Sequence, residues 1–533
     1  MLRFLFLITI TLCVQSATAQ NALPTDYLTP AFHAERREAL RKIMPPNSVV
    51  VIFAYPERVF SNDVSYIYHP NPDLYYFSGY KEPDAVLLIF KEAQQNDFGT
   101  YNELFYVRKR NPFQEQWSGR RLGIEGVKKQ LGFDQVYNAE DFKNINVDFS
   151  KFSKVIYDVL PDDVSAGTLS SLIQTFREKV NIKAVDNKNI LDAYKRLAFS
   201  TNASNLQSRV GRINNAMKET ADPEFRSDSL LLDLIHKPDT ATFSGVVHCI
   251  LGNPMPPLQF YQLTSLLREI KQPEEIAMLR KSAFISAVAH AEVMKAIHPD
   301  MSESELDGIF RYVHKKYGAE EEGYPPIVGT GANGCILHYI DNNVTQVDNQ
   351  LVLMDVASEY HGYTADVTRT TPANGKFTPE QKAIYQLVLD AQNEVMALCK
   401  EGTSFFSLNE KATDVLADGL LKLGITKKRE DVSLYYIHGC SHHIGLDVHD
   451  KSVTTTLKEN MVITVEPGIY IPEGSPCDKK WWNLAVRIED DILIGKKQGE
   501  NITSYAPREI HEVEKLAASK SVLNKFTVPP IKE

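Results

Sequence analysis

The segment of this sequence with the most chemical content is bounded by two carboxylates and reads Asp355-Val-Ala-Ser-Glu-Tyr-His-Gly-Tyr-Thr-Ala-Asp366. The two aspartates are eleven positions apart, and each follows a hydrophobic, β-prone run. Three further potential metal ligands come later in similar settings, namely His442, Glu466 and Glu489. Four carboxylates and one imidazole form an oxygen-rich donor set that suits a pair of divalent ions, whereas one catalytic zinc usually takes three protein ligands. The spacing therefore predicts a coordinated metal site.

Each residue of this set has a simpler structural explanation when it is taken alone. A single aspartate after a strand is usually a turn or capping residue. His442 alone would be a satisfied structural histidine, and Glu489 would face solvent on a strand with a period of two. The prediction therefore depends on the whole set, in its order along one domain. Two metals that share bridging carboxylates acidify a water and polarise a carbonyl, so the chemistry implied is hydrolysis.

The whole chain has the size and composition of a two-domain globular protein. Its 533 residues exceed what one hydrophobic core usually serves. A hydrophobic fraction of 43% with 24% charged residues is ordinary for a soluble protein. The formal net charge of −10 argues against nucleic acid and anionic membrane surfaces as partners.

The first nineteen residues (1–19) predict a secretory signal sequence. Arg3 supplies the positive charge, Phe4 to Val14 the apolar core, and Ala17-Thr-Ala19 a cleavage site of small residues. The apolar run is too short to span a bilayer comfortably, so we expect export without stable membrane insertion. The expected destination is the periplasm of a Gram-negative cell, with secretion outside the cell as the alternative.

The cysteines do not form a recognisable disulfide framework. Cleavage of the signal would remove Cys13 and leave an odd set of five, widely scattered. Cys440 lies inside the candidate metal motif, so a nucleophilic or ligand role has to be weighed for it. We favour a small buried apolar filler, because the flanking His438 and His442 have better-defined functions.

The pattern along the chain predicts an α/β (α+β) protein with two main domains. Continuous apolar runs at Val49–Ala54 and Ala85–Phe90 are typical of buried strands in an N-terminal α/β domain. A polar stretch that contains Asp222-Pro223 indicates an insertion. The predicted boundaries are an N-terminal domain over 25–195, a connecting insertion over 196–262, a catalytic domain over 263–515 and a tail over 516–533.

Helices and strands alternate in the predicted catalytic domain. Helices are expected to begin near Pro273 and at Thr378, where Thr378-Pro-Glu-Gln381 forms a capping box. Strands are expected over Leu351–Val356, Val462–Val465 and Val486–Leu493. The acidic residues of the metal motif would therefore sit at strand ends.

Five motifs in this order resemble those of a known family. They are Gly329-Thr-Gly-Ala-Asn-Gly-Cys-Ile-Leu-His-Tyr339, the pair Asp355 and Asp366, His438-Gly-Cys-Ser-His442 running on to Asp447-Val-His-Asp450, Val465-Glu-Pro-Gly-Ile-Tyr470, and Val486-Arg-Ile-Glu-Asp490. The chain is similar to the "pita-bread" metallopeptidases and, within them, to the Xaa-Pro aminopeptidases (aminopeptidase P). The resemblance covers nearly the whole mature chain apart from 200–257, and it implies a pita-bread catalytic domain.

The resemblance implies a role for each ligand of the metal site. Asp366 and Glu489 would bridge two divalent ions, Asp355 would bind one ion, and His442 with Glu466 would bind the other. Glu466 also stands where the family places the proton acceptor for the metal-bound water. Mn²⁺ is the expected metal, with Co²⁺ or Zn²⁺ as alternatives.

Further residues match the positions that contact substrate in the family. His338 and His449 match its substrate-contacting histidines and are expected to act in catalysis, because an imidazole N–H stabilises a developing oxyanion. His438 and Arg487 match other active-site positions, with Tyr470 as an additional substrate-binding candidate. Packing beneath the Gly-rich loop is the structural alternative for His338.

The N-terminal region carries information about the subfamily. The stretches Asp73–Tyr80 and Trp117–Gly123 resemble the domain that precedes the catalytic one in aminopeptidase P. In oligomeric members a tryptophan at the position of Trp117 reaches a neighbouring subunit's active site, so a homodimer or homotetramer is expected and Trp117 would help to bind substrate. A core or interface anchor is the alternative for this residue.

The resemblance implies that the protein hydrolyses the N-terminal Xaa-Pro bond of peptides through a metal-bridging water or hydroxide. Its partners would then be peptides with proline at the second position. A prolidase, which shares the fold and ligands but accepts dipeptides, is the enzymatic alternative. A pita-bread protein that binds without catalysis is the alternative of another class, and the complete ligand set argues against it.

Overall fold

A computed structural model describes residues 26–96, 99–182, 187–199 and 206–523 of the chain. The predicted signal sequence (1–19) and the last part of the predicted tail (524–533) lie outside these residues. Among the described residues, no helix combines the length and the apolar character that crossing a membrane would require.

The N-terminal region is built around a mixed five-stranded sheet. Its elements are α1 Pro30–Ile43, β1 Ser48–Phe53, β2 Val59–Ser61, β3 Val64–Ser65, α2 Pro72–Ser78, β4 Val86–Asn96, β5 Gly99–Val107, α3 Pro112–Ser118, α4 Gly123–Leu131, β6 Val136–Asn138, β7 Lys154–Tyr157 and α5 Gly167–Val180. The strand order is β6-β5-β4-β1-β7, with antiparallel pairs in the middle and parallel pairs at both edges. The two predicted apolar strands are its central strands β1 and β4, and every residue of β1 is buried.

A cluster of helices follows this sheet. Its members are α6 Lys188–Phe199, α7 Leu206–Glu219, α8 Pro223–Arg226, α9 Ser229–His236, α10 Thr240–Gly252 and α11 Pro256–Arg268. Apolar side chains from α6 to α11 form a hydrophobic core of their own, which includes Leu191, Ile213, Leu231 and Leu258. The stretch predicted as a polar connecting insertion therefore contains packed helices over its described residues. The predicted domain boundaries stay a prediction.

The C-terminal region combines helices with several small sheets. Its elements are α12 Pro273–Ala296, α13 Glu303–Tyr317, β8 Glu321–Glu322, β9 Ile327–Thr330, β10 Leu351–Asp355, β11 Ser358–Tyr360, β12 Tyr363–Thr364, β13 Thr368–Pro372, α14 Pro379–Met396, α15 Phe405–Lys422, β14 Val462–Val465, β15 Gly468–Ile471, β16 Leu484–Arg487, β17 Asp490–Leu493, β18 Glu500–Asn501 and α16 Ile510–Ala517. The sheets have the orders β13-β10-β9, β12-β11-β8 and β14-β17-β18, and β15 pairs with β16.

Local sequence explains where the helices of this region begin. Pro273 occupies the first turn of α12, where its missing N–H costs nothing. The capping box predicted at Thr378 is present: the Thr378 hydroxyl accepts from the N–H of Gln381, and the Gln381 side chain accepts from the N–H of Thr378. The two predicted helix starts are thus confirmed.

The strand predicted over Val486–Leu493 is wrong as a single element. It is divided into β16 and β17, which belong to different sheets, and Ile488 and Glu489 lie at the break. Because β16 pairs with β15 and β17 pairs with β14, the backbone changes direction between them. Glu489 is therefore buried, with only 2% exposure. In an uninterrupted strand its side chain could have faced solvent.

The N-terminal and C-terminal regions meet at a buried charged cluster around Arg268, the last residue of α11. Its Nη1 donates to Oδ1 of Asp73 at 2.9 Å, and its Nη2 donates to Oδ1 of Asp450 at 2.5 Å and to Oδ2 of Asp447 at 2.7 Å. Lys451 donates from Nζ to Oδ2 of Asp73 at 2.7 Å. These contacts hold the segment 447–451, which contains His449, against α2 of the N-terminal region.

Candidate active site

A cavity of about 410 Å³ in the C-terminal region gathers most of the predicted site residues. Its volume is within the range of small-molecule sites. Nine predicted residues line it: His338, Asp355, Asp366, His438, His442, His449, Glu466, Arg487 and Glu489. Tyr470 is buried just behind this lining, and Trp117 does not belong to it.

The predicted metal ligands come from the ends of four different strands. Asp355 is the last residue of β10, Asp366 follows β12, Glu466 follows β14, and Glu489 lies between β16 and β17. Antiparallel pairing of β10 with β13 aligns Asp355 with Thr368, two positions after Asp366. Strand ends from neighbouring sheets thus converge, as the sequence pattern predicts.

Three of the five side chains form a group that could hold a metal ion, and the other two lie beside it. One ligand atom from each of Asp366, His442 and Glu489 lies within 4.8 Å of the others. Nε2 of His442 is 3.4 Å from Oδ2 of Asp366 and 3.5 Å from Oε1 of Glu466. The Tyr324 hydroxyl lies 2.6 Å from Oδ1 of Asp355 and 2.7 Å from Oδ1 of Asp366, which joins Asp355 to the group.

Hydrogen bonds set the orientation of the His442 ring. Its Nδ1 donates to the carbonyl of His443 at 3.0 Å, which directs Nε2 at the carboxylates. Its backbone N–H donates to Oγ1 of Thr464 at 3.1 Å, so the main chain is fixed as well. A carbonyl partner on the far nitrogen is the usual support of a metal-binding histidine.

The cavity is lined by more carboxylates than permanently charged cations, so added positive charge would stabilise it. Among its lining residues four are carboxylates, and Arg487 is the only guanidinium. Burial raises the pKa of Glu466 to about 7, with Asp366 adding to the rise, and burial with the same neighbour raises the pKa of Glu489 well above its usual range. Burial opposes a charge on His442, yet Asp366 and Glu466 raise its pKa to about 9. A group of crowded, buried carboxylates that takes up protons in this way fits a pair of divalent cations.

A chain of hydrogen bonds runs from Asp355 to His438 along one wall of the cavity. Arg487 donates from Nη2 to Oδ2 of Asp355 at 2.6 Å and from Nη1 to the Tyr470 hydroxyl at 2.8 Å. That hydroxyl donates to Nε2 of His438 at 2.8 Å, because Nδ1 of His438 already donates to the carbonyl of Gly439. Burial and the nearby Arg487 lower the pKa of His438 to about 4, so its ring is neutral. Tyr470 thus connects two predicted site residues without lining the cavity itself.

The two predicted substrate histidines lie on the exposed side of the cavity. His338 follows a short 3₁₀ turn over Gly331–Cys335, and His449 belongs to the segment held by Arg268. Both are exposed, and the His449 ring lies 4.4 Å from the His442 ring in an edge-on contact. They are therefore placed to meet a ligand that enters the cavity.

Trp117 and Cys440 lie in contrasting settings. Trp117 is at the C-terminal end of α3 and is 83% exposed, so packing in the core of this chain does not account for it. Cys440 lines the cavity but is buried, and burial raises the pKa of its thiol. A protonated, buried thiol agrees with the filler role favoured for it. All five cysteines of the predicted mature chain are free.

Several residues at the site were missed by sequence reasoning. Tyr324 donates to two predicted metal ligands, and Oγ1 of Thr368 donates to Oε2 of Glu489 at 2.6 Å. Phe405 and Asn409 of α15 line the cavity. Tyr324 precedes two prolines, and Thr368 follows Asp366 by two positions. Neither sequence context indicates that the residue would bond a metal ligand, because the same contexts occur in ordinary loops and strands.

Replacement of Tyr324 with phenylalanine is expected to weaken metal binding about 10- to 100-fold, which is typical for the loss of a group that orients metal ligands. The reason is that Asp355 and Asp366 would lose the shared hydroxyl donor between them. The affinity for Mn²⁺, measured by isothermal titration calorimetry, checks this expectation. Tyr385→Phe is the matched control, because this buried hydroxyl donates to the carbonyl of Arg508 away from the cavity. Equal affinity in both variants would contradict the role given to Tyr324.

Comparisons with known proteins agree with this arrangement. The sequence model for metallopeptidase family M24 matches residues 277–496, and that for the N-terminal domain of aminopeptidase P matches residues 33–157. Xaa-Pro aminopeptidase of Escherichia coli (strain K12) is 32% identical over 493 residues, which are 90% of this chain and 96% of that protein.

Solved structures of aminopeptidase P also match this chain over most of its length. Aminopeptidase P from E. coli with the inhibitor Pro-Leu superimposes with a TM-score of 0.71 at 29% identity, over 92% of this chain and 98% of that chain. A zinc-substituted form of the E. coli protein in complex with product has a TM-score of 0.70 at 29% identity, over 94% of this chain and 100% of that chain. The likeness therefore extends over both the N-terminal and the C-terminal regions.

Proposed function

The chain belongs to the Xaa-Pro aminopeptidases of metallopeptidase family M24, and on this basis we propose that it removes the N-terminal residue from peptides whose second residue is proline. The observation that carries the proposal is the meeting of Asp355, Asp366, His442, Glu466 and Glu489 at one cavity with three further histidines. The enzyme is thus a hydrolase that acts on peptides.

The five acidic and imidazole ligands are proposed to hold two divalent ions. Asp366 and Glu489 would bridge them, Asp355 would complete one site, and His442 with Glu466 the other. The oxygen-rich donor set supports Mn²⁺ as the native metal, with Co²⁺ or Zn²⁺ as alternatives. When bound, such a pair supplies an acidified water and a Lewis acid for the scissile carbonyl.

The protein's own side chains are proposed to accept the proton and to position the substrate. Glu466 is proposed as the proton acceptor, and its Oε1 lies 3.4 Å from the Thr464 hydroxyl and 3.5 Å from Nε2 of His442, which fix its position. His338 and His449, on the exposed side, are proposed to donate to the substrate carbonyl or to anchor the peptide. Arg487 is proposed to keep Asp355 ionised and oriented through their contact of 2.6 Å.

The rival functions are less well supported. A prolidase would share the metal ligands, but the N-terminal match to aminopeptidase P over residues 33–157 favours the aminopeptidase. A protein that binds without catalysis would be expected to lack ligands, whereas this chain keeps all five together with His338, His438 and His449.

Substrate length and proline dependence test the proposal. We expect release of alanine from Ala-Pro-Ala and, relative to Ala-Ala-Ala, a preference of at least about 100-fold in kcat/KM. Incubation with a chelator should abolish turnover, and Mn²⁺ should restore it. The released amino acid can be followed by liquid chromatography with mass spectrometry. Cleavage confined to the dipeptide Ala-Pro would show a prolidase instead, and no turnover with any divalent ion would favour the non-catalytic alternative.

Export and self-association are also part of the proposal. The sequence of residues 1–19 supports export to the periplasm or beyond, and the N-terminal sequence of protein from the periplasmic fraction would test it.

The exposed Trp117 supports a homodimer or homotetramer in which this side chain helps to bind substrate at a neighbouring subunit. Light scattering on the wild type and on Trp117→Ala, together with KM values, would test that role.

A further inference from the structure

The tip of the hairpin that joins the two metal-site aspartates is held in an unusual way. Strands β11 and β12 pair across the turn formed by His361 and Gly362, between Asp355 and Asp366. Both turn residues have positive φ, 52° for His361 and 86° for Gly362. A histidine in the left-handed region is uncommon, and here its side chain is buried, with 1% exposure. The surroundings of His361 must therefore favour this conformation.

The segment Asp26–Tyr27, more than three hundred residues away along the chain, covers the His361 ring. The Tyr27 ring stacks on it with centroids 3.6 Å apart and an interplanar angle of 27°. Nε2 of His361 is 2.9 Å from Oδ1 of Asp26, and the other oxygen of Asp26 accepts from the Tyr360 hydroxyl at 2.7 Å. Asp26 is also paired with Lys281 of α12. Two consecutive residues thus contact both the turn and the strand before it.

Glu320 contacts the opposite side of the same ring. Nδ1 of His361 is 2.6 Å from Oε1 of Glu320, and the His361 backbone N–H donates to Oε2 at 2.7 Å. The Tyr27 hydroxyl donates to Oε1 of Glu320 at 3.0 Å. Asp26, Tyr27, Glu320 and His361 therefore form one connected unit, which we call the N-terminal clasp.

The N-terminal region adds contacts to the clasp and to the hairpin. The Lys81 ammonium lies over the Tyr27 ring, 3.8 Å from its centroid, and Nε2 of His69 is 2.9 Å from Oε2 of Glu359 in β11. A Cβ at Gly362 would lie 3.1 Å from the ring of Tyr75 in α2, so the turn is packed closely against that helix. The tip of the hairpin is thus fixed by parts of the chain that carry none of the proposed metal ligands.

The base of the hairpin is fixed separately. Ser282 and Ser286 of α12 bond the main chain of Ser358 at 2.6 and 2.9 Å, and the N–H of Asp366 donates to Oδ2 of Asp491 at 3.1 Å. Two points of attachment, at the base and at the tip, determine the direction of both strands. Because metal ligands have to be held within about 0.5 Å of their productive positions, movement of the tip would disturb the pair Asp355 and Asp366.

From these contacts we propose that Asp26, Tyr27 and His361 are positioning residues, which hold the β11–β12 hairpin so that Asp355 and Asp366 present their carboxylates to the metal ions. This inference rests on the proposed metal site and adds a residue set that the family motifs do not include. Because coupling of this kind is reciprocal, binding of metal also stabilises the contacts within the N-terminal clasp.

Tyr27 offers a matched pair of variants for the test. Tyr27→Ala removes the ring that stacks on His361, whereas Tyr27→Phe keeps the ring and loses only the hydroxyl. Relative to the wild type, we expect Mn²⁺ affinity about tenfold weaker in Tyr27→Ala and little changed in Tyr27→Phe. In metal-free protein, hydrogen exchange of the amides over 358–364 should become faster in Tyr27→Ala alone. Asp26→Ala and His361→Asn, which tolerates the left-handed turn, should behave like Tyr27→Ala.

The control is Tyr312→Ala, which removes a tyrosine on α13 that is 56% exposed. Unchanged Mn²⁺ affinity and unchanged hairpin exchange in Tyr27→Ala would overturn the clasp, and so would an equal loss in Tyr312→Ala. Faster exchange throughout the chain would also overturn it, because the effect would then be one on global stability. Failure of the wild type to bind any divalent ion would instead overturn the proposed metal site, while exchange in the metal-free protein would still report on the clasp.

Discussion

Replacement of Asp366 with alanine is expected to abolish peptide hydrolysis and to leave the fold intact. Asp366 belongs to the group of three ligand atoms that lie within 4.8 Å of one another, and it is the proposed bridge between both ions. Metal assistance contributes several kcal/mol to the stabilisation of a hydrolytic transition state, so its loss should lower kcat/KM by about a thousandfold or more.

The metal-free Asp366→Ala variant should be at least as stable as the metal-free wild type. Asp366 raises the pKa of both Glu466 and Glu489 through repulsion, so its removal relieves an unfavourable contact among buried carboxylates, which offsets the loss of its contact with Nε2 of His442. Metal content, kcat/KM and melting temperatures with and without chelator check these expectations. The control is Asp390→Ala, which alters an exposed carboxylate on α14 bonded to Gln386. Turnover within tenfold of the wild type would contradict the bridging role, and a lower melting temperature of the metal-free variant would show that Asp366 supports the fold.

The sequence allowed the proposed metal ligands to be singled out because most of them stand next to a strong local signal. Asp355 is the last residue of a short apolar strand and Glu466 directly follows another, and strand ends of neighbouring sheets meet in space. Glu489 was expected within a single strand over Val486–Leu493. The break between β16 and β17 that buries it depends on pairing with β15 and β14.

The remaining features depend on contacts between distant parts of the chain. Tyr324 reaches Asp355 and Asp366 from a loop before β9, and no local pattern marks a tyrosine as a donor to two carboxylates. Asp26 and His361 are likewise distant in sequence, and their local sequence does not indicate that they are in contact. The stretch 196–262 was predicted to be a connecting insertion because it contains polar residues and Asp222-Pro223. Its helices form a core with α6 through contacts between segments that are distant in sequence.

Replacement of Arg268 with alanine is expected to destabilise the protein by about 3–5 kcal/mol, the usual effect of removing one partner from a buried ion pair. Arg268 is 1% exposed and bonds Asp73 and Asp450, which are also buried. Its removal leaves these carboxylates with Lys271 and Lys451 as their only cationic partners among the residues that the structure describes. The free energy of unfolding in urea, followed by tryptophan fluorescence, measures the effect. The control is Arg280→Ala: this arginine bonds Glu500 at the surface, so its loss should cost no more than about 1 kcal/mol.

The pH dependence of this difference separates charge from packing. Burial opposes ionisation of Asp73 and Asp450, but their cationic partners hold the pKa of both below the ordinary value of 3.8. A carboxyl group with a lowered pKa in the folded state contributes stability above its unfolded pKa and loses it as the pH falls through the folded pKa. Wild-type stability should therefore decline below about pH 4, and the gap between wild type and Arg268→Ala should narrow there, because protonated aspartates no longer need the guanidinium. A gap that stays constant down to acidic pH would show that Arg268 acts through the packing of its side chain, and the charged cluster would then not be what holds the 447–451 segment in place.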